Sequence, residues 1–310
     1  DTDPYSKWDA AQTLMMDVTL SMLTDDAAVD ERLLSGLRDV ALNAELDPAF
    51  RALALTQPAR SDVMQRLHNA GATPDPFAIH AAQETISHSL AEVLQNDLGT
   101  IYVENQVRAP FVPTEEQAGQ RALANMILGL ITRLDGWTEA RKQFETADNM
   151  TSTLGALGAL LSCEYGMNAS QQFYETWKHE RLVIDKWFSI QMTHAKPEEA
   201  LDVVNRLSAH PDFSIKNPNR FRSVFGPFAG HAGFHAPDGG GYETLADWLI
   251  KLDKINPQPT ARSCSAFDSW QIFAPERQTQ MQTAMKRILD EEDLSRDTRE
   301  MLNRILGGNG

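Results

Sequence analysis

The chain has 310 residues, 42% hydrophobic and 23% charged, the balance of a soluble globular protein with length for one large domain or two small ones. Its formal net charge of −15 sets it against nucleic acid and anionic membranes, whose binders supply cations, and reads as a solubilising acidic surface. No run approaches the roughly 20 uninterrupted apolar residues of a membrane-spanning helix, because the longest apolar passage is broken by Asn125, Thr132 and Arg133.

Helix signals recur from the first residues onward, and strand patterns are almost absent. Asp3-Pro4 opens a first helix, with Asp as cap and Trp8, Ala11, Leu14, Met15, Val18 and Met22 at helical spacing. Asp30 starts a second, whose buried stripe is expected through Leu33, Leu34, Leu37, Val40, Ala41 and Ala44. Asp47-Pro48 repeats the start ahead of Phe50 and Leu53, and Ser61 is expected to cap Val63, Met64 and Leu67. Asp75-Pro76 begins a longer helix bearing Ile79, Ile86, Leu90, Val93 and Leu94. Thr114 and Gln117 form a capping box that opens a stripe of Ala118, Ala122, Met126, Leu130 and Leu134. Lys196-Pro197-Glu198-Glu199 places Pro and acids in a first turn before Leu201, Val204 and Leu207, where the helix dipole favours them. Later helices centre on Leu245 to Leu252, Met281 to Leu289 and Thr298 to Leu306.

So many short amphipathic helices cannot close into one four-helix bundle. Stacked antiparallel pairs would bury every stripe, which predicts an all-α superhelical array of armadillo/HEAT-like type, a single domain over residues 1–310. No fixed sequence period accompanies it, so the repeat is structural and degenerate. The stretch from Asn217 to Gly241, rich in Gly, Pro, Asn and aromatics, reads as an irregular segment within the array. The chain opens on Asp1 already in a helical pattern, as expected of a piece of a longer protein, so the missing signal peptide says little about location. Cys163 and Cys264 read as two free thiols of a reducing, cytoplasmic compartment, with pairing left open.

Four features invite a chemical reading. His231 and His235 stand in HAGFH, but Ala232 holds the place where a zinc peptidase helix needs its Glu, and Gly233, Pro227 and Pro237 argue for loop histidines. His80, Glu84 and His88 share one helical face, yet the two His are roughly 12 Å apart at 1.5 Å per residue, so solvated side chains are expected. Asp238-Gly239-Gly240-Gly241 resembles an anion-binding loop but lacks the Gly-Lys-Ser/Thr ending and a preceding strand, which leaves a flexible helix start. Trp187, Trp248 and Met192 fall at core spacing. By its residues alone the chain is a helical array with no complete catalytic set, and an independent scaffold that binds a partner protein fits equally well.

Ordered segments add a resemblance. DPYSKWDAAQTL at 3–14, ADNMTSTLGAL at 147–157, DKWFSIQM at 185–192, KNPNRFRSVFGPFAG at 216–230, FHAPDGGGY at 234–242 and NPQPTAR at 256–262 together resemble the C-terminal domain of bacterial aminopeptidase N, a gluzincin zinc metallopeptidase. The resemblance implies a parent that hydrolyses N-terminal residues from peptides. In that family an upstream thermolysin-like domain of the same polypeptide holds zinc on an HExxH helix with a further zinc ligand, and supplies the catalytic Glu. The C-terminal helical bowl closes over that site, bounds a chamber and restricts access to peptides. Arg222 and Arg262 match basic residues that point into the chamber, with a structural ion pair as the alternative role for each, and Arg220 in the same turn is a candidate for exchange with Arg222. Asn217 and Asn219 are expected to cap the helix beginning at Pro218. The chain departs from the family in its Gly307–Gly310 tail.

Overall fold

The computed structural model describes residues 4–307, and every regular element among them is helical: seventeen α-helices and four short 3-10 turns, with no strand among the described residues. The expected Asp3 cap and the tail residues Gly308, Asn309 and Gly310 lie outside the described residues. In chain order the helices are α1 (Pro4–Thr24), α2 (Glu31–Leu42), α3 (Pro48–Ala54), α4 (Arg60–Asn69), α5 (Pro76–Leu94), α6 (Leu98–Glu104), α7 (Glu115–Asp135), α8 (Thr138–Thr146) and α9 (Met150–Leu161). They continue as α10 (Gly166–Trp177), α11 (Arg181–Thr193), α12 (Ala200–Ser208), α13 (Pro218–Ala229), α14 (Gly240–Asp253), α15 (Pro257–Ser263), α16 (Pro275–Leu289) and α17 (Arg296–Leu306). The chain divides into two compact units. The first runs through Arg66 and resumes from Ala78 to Phe173, and the second takes Leu67–Phe77 and the chain from Tyr174 onward.

Local chemistry starts most helices where it is expected to. Asp30 accepts the Arg32 N–H at 2.8 Å, and Asp47, followed by Pro48, accepts those of Ala49 and Phe50 at 2.8 and 3.2 Å. Three starts differ. Ser61 does not cap α4, which already begins at Arg60, and its hydroxyl faces Asp62 inside the first turn. The Thr114 box is half formed: Thr114 accepts the Gln117 N–H at 3.3 Å, but Gln117 Oε1 takes the N–H of Val112, at 2.9 Å in the preceding loop. Pro197–Glu199 forms a 3-10 turn ahead of α12 instead of its first α-turn.

Packing moves some of the expected stripes. Within the first unit α7 packs against α3, α6, α8 and α9. Surrounded on several sides, it buries Leu123, Ile127, Leu128 and Ile131 beside the expected Leu130, whereas Ala118 and Ala122 are exposed and Met126 and Leu134 are half-buried. Gly119 permits the close approach of α3, since a Cβ there would meet the Ala49 backbone nitrogen at 3.0 Å. Ala44 is exposed because α2 ends at Leu42. Leu53 is exposed because α3 turns Arg51, Ala52 and Ala54 inward, and Val93 because Leu90, Ala91 and Leu94 form the inner face of α5. A buried polar chain links α6, α7, α8 and α9. Tyr102 O–H donates to Gln143 Oε1, and Gln143 Nε2 donates to Asn125 Oδ1 and the Ser152 carbonyl, each at 2.8 Å.

In the second unit, the Asn217–Gly241 stretch is more regular than its composition suggests. It holds α13, a 3-10 turn at Ala232–His235 and the start of α14, because Phe221, Val224, Phe225 and Phe228 fall at helical spacing and are all buried. Asp253, 4% exposed at the end of α14, accepts from the Ser295 N–H and hydroxyl at 2.7 Å each and from the Thr298 hydroxyl at 2.5 Å. It thereby fixes the start of α17. His235 lies among Phe234, Tyr242 and Phe273 with Nδ1 2.8 Å from the Tyr242 hydroxyl. Burial, with the Arg277 charge a lesser cause, lowers its pKa from 6.5 to about 3, and burial raises that of Tyr242.

Removing the Asp253 carboxylate leaves buried donors unpaired. Asp253→Ala should lower the urea midpoint by the equivalent of about 2–4 kcal/mol, and a change within about 0.5 kcal/mol would show that the cluster does not hold α17. The His235 shift sets a pH window. An unfolded chain takes up this proton below about pH 6.5 while the folded chain resists it, so stability should fall as pH drops from 6.5 toward 3, by up to about 1.4 kcal/mol per pH unit from this group. His210, also lowered by burial, acts in the same direction. His235→Gln, which keeps an acceptor for Tyr242, should flatten the melting temperature between pH 6.5 and 5; an unchanged slope would assign the loss to other groups.

Candidate functional site

The two arginines singled out by sequence both lie in the second unit. Arg222 stands on α13, which Asn217 caps by accepting the N–H groups of Asn219 and Arg220 at 3.1 and 3.4 Å, with Pro218 in the first position. Asn219, expected to share the capping, instead accepts a hydrogen bond from Arg222 Nη2 at 3.2 Å. Arg222 is exposed. Arg262 is also exposed, in the last turn of α15, where a cation complements the helix dipole. No ion pair to either guanidinium is found among the described residues. The two helices have different neighbours: α13 packs on α11 and α12, and α15 on α14 and α17.

The buried arginine of this region is Arg220, 6% exposed. Its Nε donates to Asp185 Oδ1 at 2.5 Å, its Nη1 to the Asp212 carbonyl, and its Nη2 to the Arg181 carbonyl at 3.4 Å, while the guanidinium lies 4.9 Å from the Phe188 ring centre. This anchor was missed by sequence reasoning. The available signal was spacing: residues two apart on a helix point to opposite sides, so only one of Arg220 and Arg222 can face the interior.

Both histidines of the HAGFH pair are built into the fold. As expected, no α-helix carries His231 and His235, which sit at a 3-10 turn, and both are buried, 3% and 6% exposed. His231 Nδ1 accepts the Gly233 N–H at 3.1 Å, which leaves Nε2 as the donor to the Ala195 carbonyl at 3.0 Å. Both of its nitrogens are therefore committed, and Nδ1 of His235 faces Tyr242. Among the described residues no group of three His, Cys, Asp or Glu is arranged to hold a metal.

The remaining features have local roles. On α5, Glu84 and His88 are exposed: Glu84 accepts two hydrogen bonds from Arg133 Nη2 at 3.0 Å, and His88 Nε2 lies 3.5 Å from Glu92. Gly239 takes a left-handed φ of 77° at the start of α14, and Asp238 accepts the Gly240 N–H at 2.9 Å, occupying an amide that an anion would need. Trp187 and Met192 are buried and Trp248 is half-buried against Phe213 and Phe225. Cys163 and Cys264 are free thiols, and burial pushes Cys264 up to about 12, which keeps it unreactive. No helix among the described residues is long and apolar enough to cross a membrane.

Known proteins agree with the picture of a helical array. Residues 1–307 match the family described as Domain of unknown function (DUF3458_C) ARM repeats. Aminopeptidase N of Caulobacter vibrioides is 32% identical over 317 residues, covering 99% of this chain and 36% of that protein. Aminopeptidase N of Escherichia coli is 31% identical over 316 residues, covering 97% of this chain and 35% of that protein. The crystal structure of Legionella pneumophila aminopeptidase A in complex with aspartic acid matches with a TM-score of 0.88 at 26% identity, covering 99% of this chain and 37% of the other. The chain thus spans little more than a third of the length of these relatives. It belongs to the DUF3458_C family of ARM-repeat domains, and corresponds to the C-terminal helical domain of an aminopeptidase.

Proposed function

We propose that the chain is the non-catalytic part of a cytoplasmic zinc aminopeptidase, closing over an active site held by the rest of the same polypeptide. In this reading residues 1–310 act as one domain that bounds a peptide chamber and restricts what reaches the scissile bond. The catalytic domain binds zinc, and the parent removes N-terminal residues from peptides. One observation carries the proposal: nearly all of this chain, and only about a third of each relative, is shared with aminopeptidases.

Arg222 and Arg262 are the proposed substrate contacts. Each is exposed, and a guanidinium fork can take peptide carbonyls or the terminal carboxylate of a short peptide. They would meet the far end of the substrate rather than the bond being cut.

In the full-length parent, Arg222→Ala or Arg262→Ala should lower kcat/KM for tri- and tetrapeptides by roughly 10- to 150-fold, while sparing a single-residue chromogenic substrate. Lys should rescue in part, keeping the charge but losing the fork. Equal losses on short and long substrates would rule out the contact role. Stability separates the neighbours on α13. Arg220→Ala strands the Asp185 carboxylate and should cost about 3–5 kcal/mol, whereas Arg222→Ala should stay within about 0.5 kcal/mol by denaturant titration. The reverse order would exchange their roles.

A further inference from the structure

In the second unit, the turn between α12 and α13 carries two residues, His210 and Asp212, on which several helices converge. Asp212 is used three times. Its N–H donates to His210 Nδ1 at 3.1 Å, its carbonyl accepts from Arg220 Nη1 on α13, and its carboxylate accepts the Tyr174 O–H of α10 at 2.7 Å. The half-buried His210 ring lies 5.0 Å from that of Tyr174, and 5.1 and 5.6 Å from those of Trp187 and Phe188 on α11. One imidazole thus closes the turn through which α10 and α13 are tied.

The bond from a backbone N–H settles the state of that ring. An N–H can only donate, so Nδ1 is the acceptor and the imidazole is neutral, with its proton on Nε2. A second proton can go only to Nδ1, the atom already taken. Two donors would then face each other, and the bond would be lost. Of the charged groups around the ring, Arg220 and Arg206 repel such a cation and the Asp212 carboxylate attracts it. Asp185 on α11 is already engaged by Arg220, and Glu175 on α10 is paired with Lys178. Tyr174 keeps its proton, its pKa raised chiefly by the bond to Asp212. Attraction to the Asp212 carboxylate cannot preserve the turn, because that carboxylate is held by Tyr174 and belongs to the residue whose N–H has been displaced.

We propose that His210 is an acid-sensitive latch: neutral, it closes the Asp212 turn on α10 and α13, and protonated, it opens that turn and releases the Asp212 carbonyl from Arg220. Burial, the largest cause, lowers the His210 pKa from its ordinary 6.5, so the latch is closed at neutral pH and opens as pH falls below 6.5. Arg222 shares α13 with Arg220, so opening would also loosen the exposed guanidinium. That consequence for peptides rests on the substrate role proposed for Arg222, whereas the latch does not.

Hydrogen exchange of the full 310-residue chain, read by mass spectrometry and corrected for the intrinsic pH dependence of amides, tests the latch without any substrate. Between pH 7 and 5, exchange in residues 209–229 should speed up by at least about fivefold, while α17 in the same unit should change far less. His235 stays neutral in the folded chain across this window, since its pKa is about 3. His210→Asn keeps a side-chain acceptor for the N–H two residues on and takes up no proton, so exchange in 209–229 should lose its pH dependence. His210→Gln, a second neutral acceptor, answers the same question if His210→Asn does not fold, and circular dichroism at each pH checks the helices of both. An equal rise in α17 would assign the change to global unfolding. A rise that persists in the folded neutral variant would assign it to carboxylates. Either result, or no rise in the wild type, overturns the proposal.

Discussion

Every helix ends with carbonyls that its own ladder cannot satisfy, and the seventeen helices among the described residues multiply that demand. Local cap N–H groups meet part of it, and at several ends donors from other elements add to them. Arg51 on α3 donates to the Ala41 carbonyl near the end of α2, and Arg299 on α17 donates to the carbonyls of Leu289 and Glu291 at the end of α16. Trp270 Nε1 donates to the Ile305 carbonyl in the last turn of α17, and His231 Nε2 to the Ala195 carbonyl just beyond α11. Helices as short as the seven residues of α3, α6 and α15 are marginal alone. Where an end is tied to a neighbour and the apolar face is buried, one helix becomes conditional on another within its unit.

This division explains what could be read in advance. Helix starts are closed by residues within a few positions of the cap, so Asp30, Asp47 and Asn217 were legible as starts. Some donors that close helix ends come from far along the chain, as Trp270 does for Ile305, and no local pattern announces them. Burial was legible for helices with one packed face and only at Leu130 for α7, whose several neighbours bury mostly other positions than those counted out from Ala118. The glycines, prolines and asparagine of 217–241 suggested irregularity, but the spacing of Phe221, Phe225 and Phe228 had the stronger effect. At the candidate site, the exposure of Arg222 follows from helical geometry, whereas the partners of Arg220 were out of reach because Asp185 lies on another helix.

Arg220 and Arg222 show how one buried contact prepares an exposed one. With Arg220 held by Asp185 and two backbone carbonyls, α13 cannot rotate about its axis without breaking a buried ion pair. Two positions on, Arg222 is therefore held outward. Its bond to Asn219 restrains the long side chain further, and a restrained guanidinium loses less freedom when it takes a ligand.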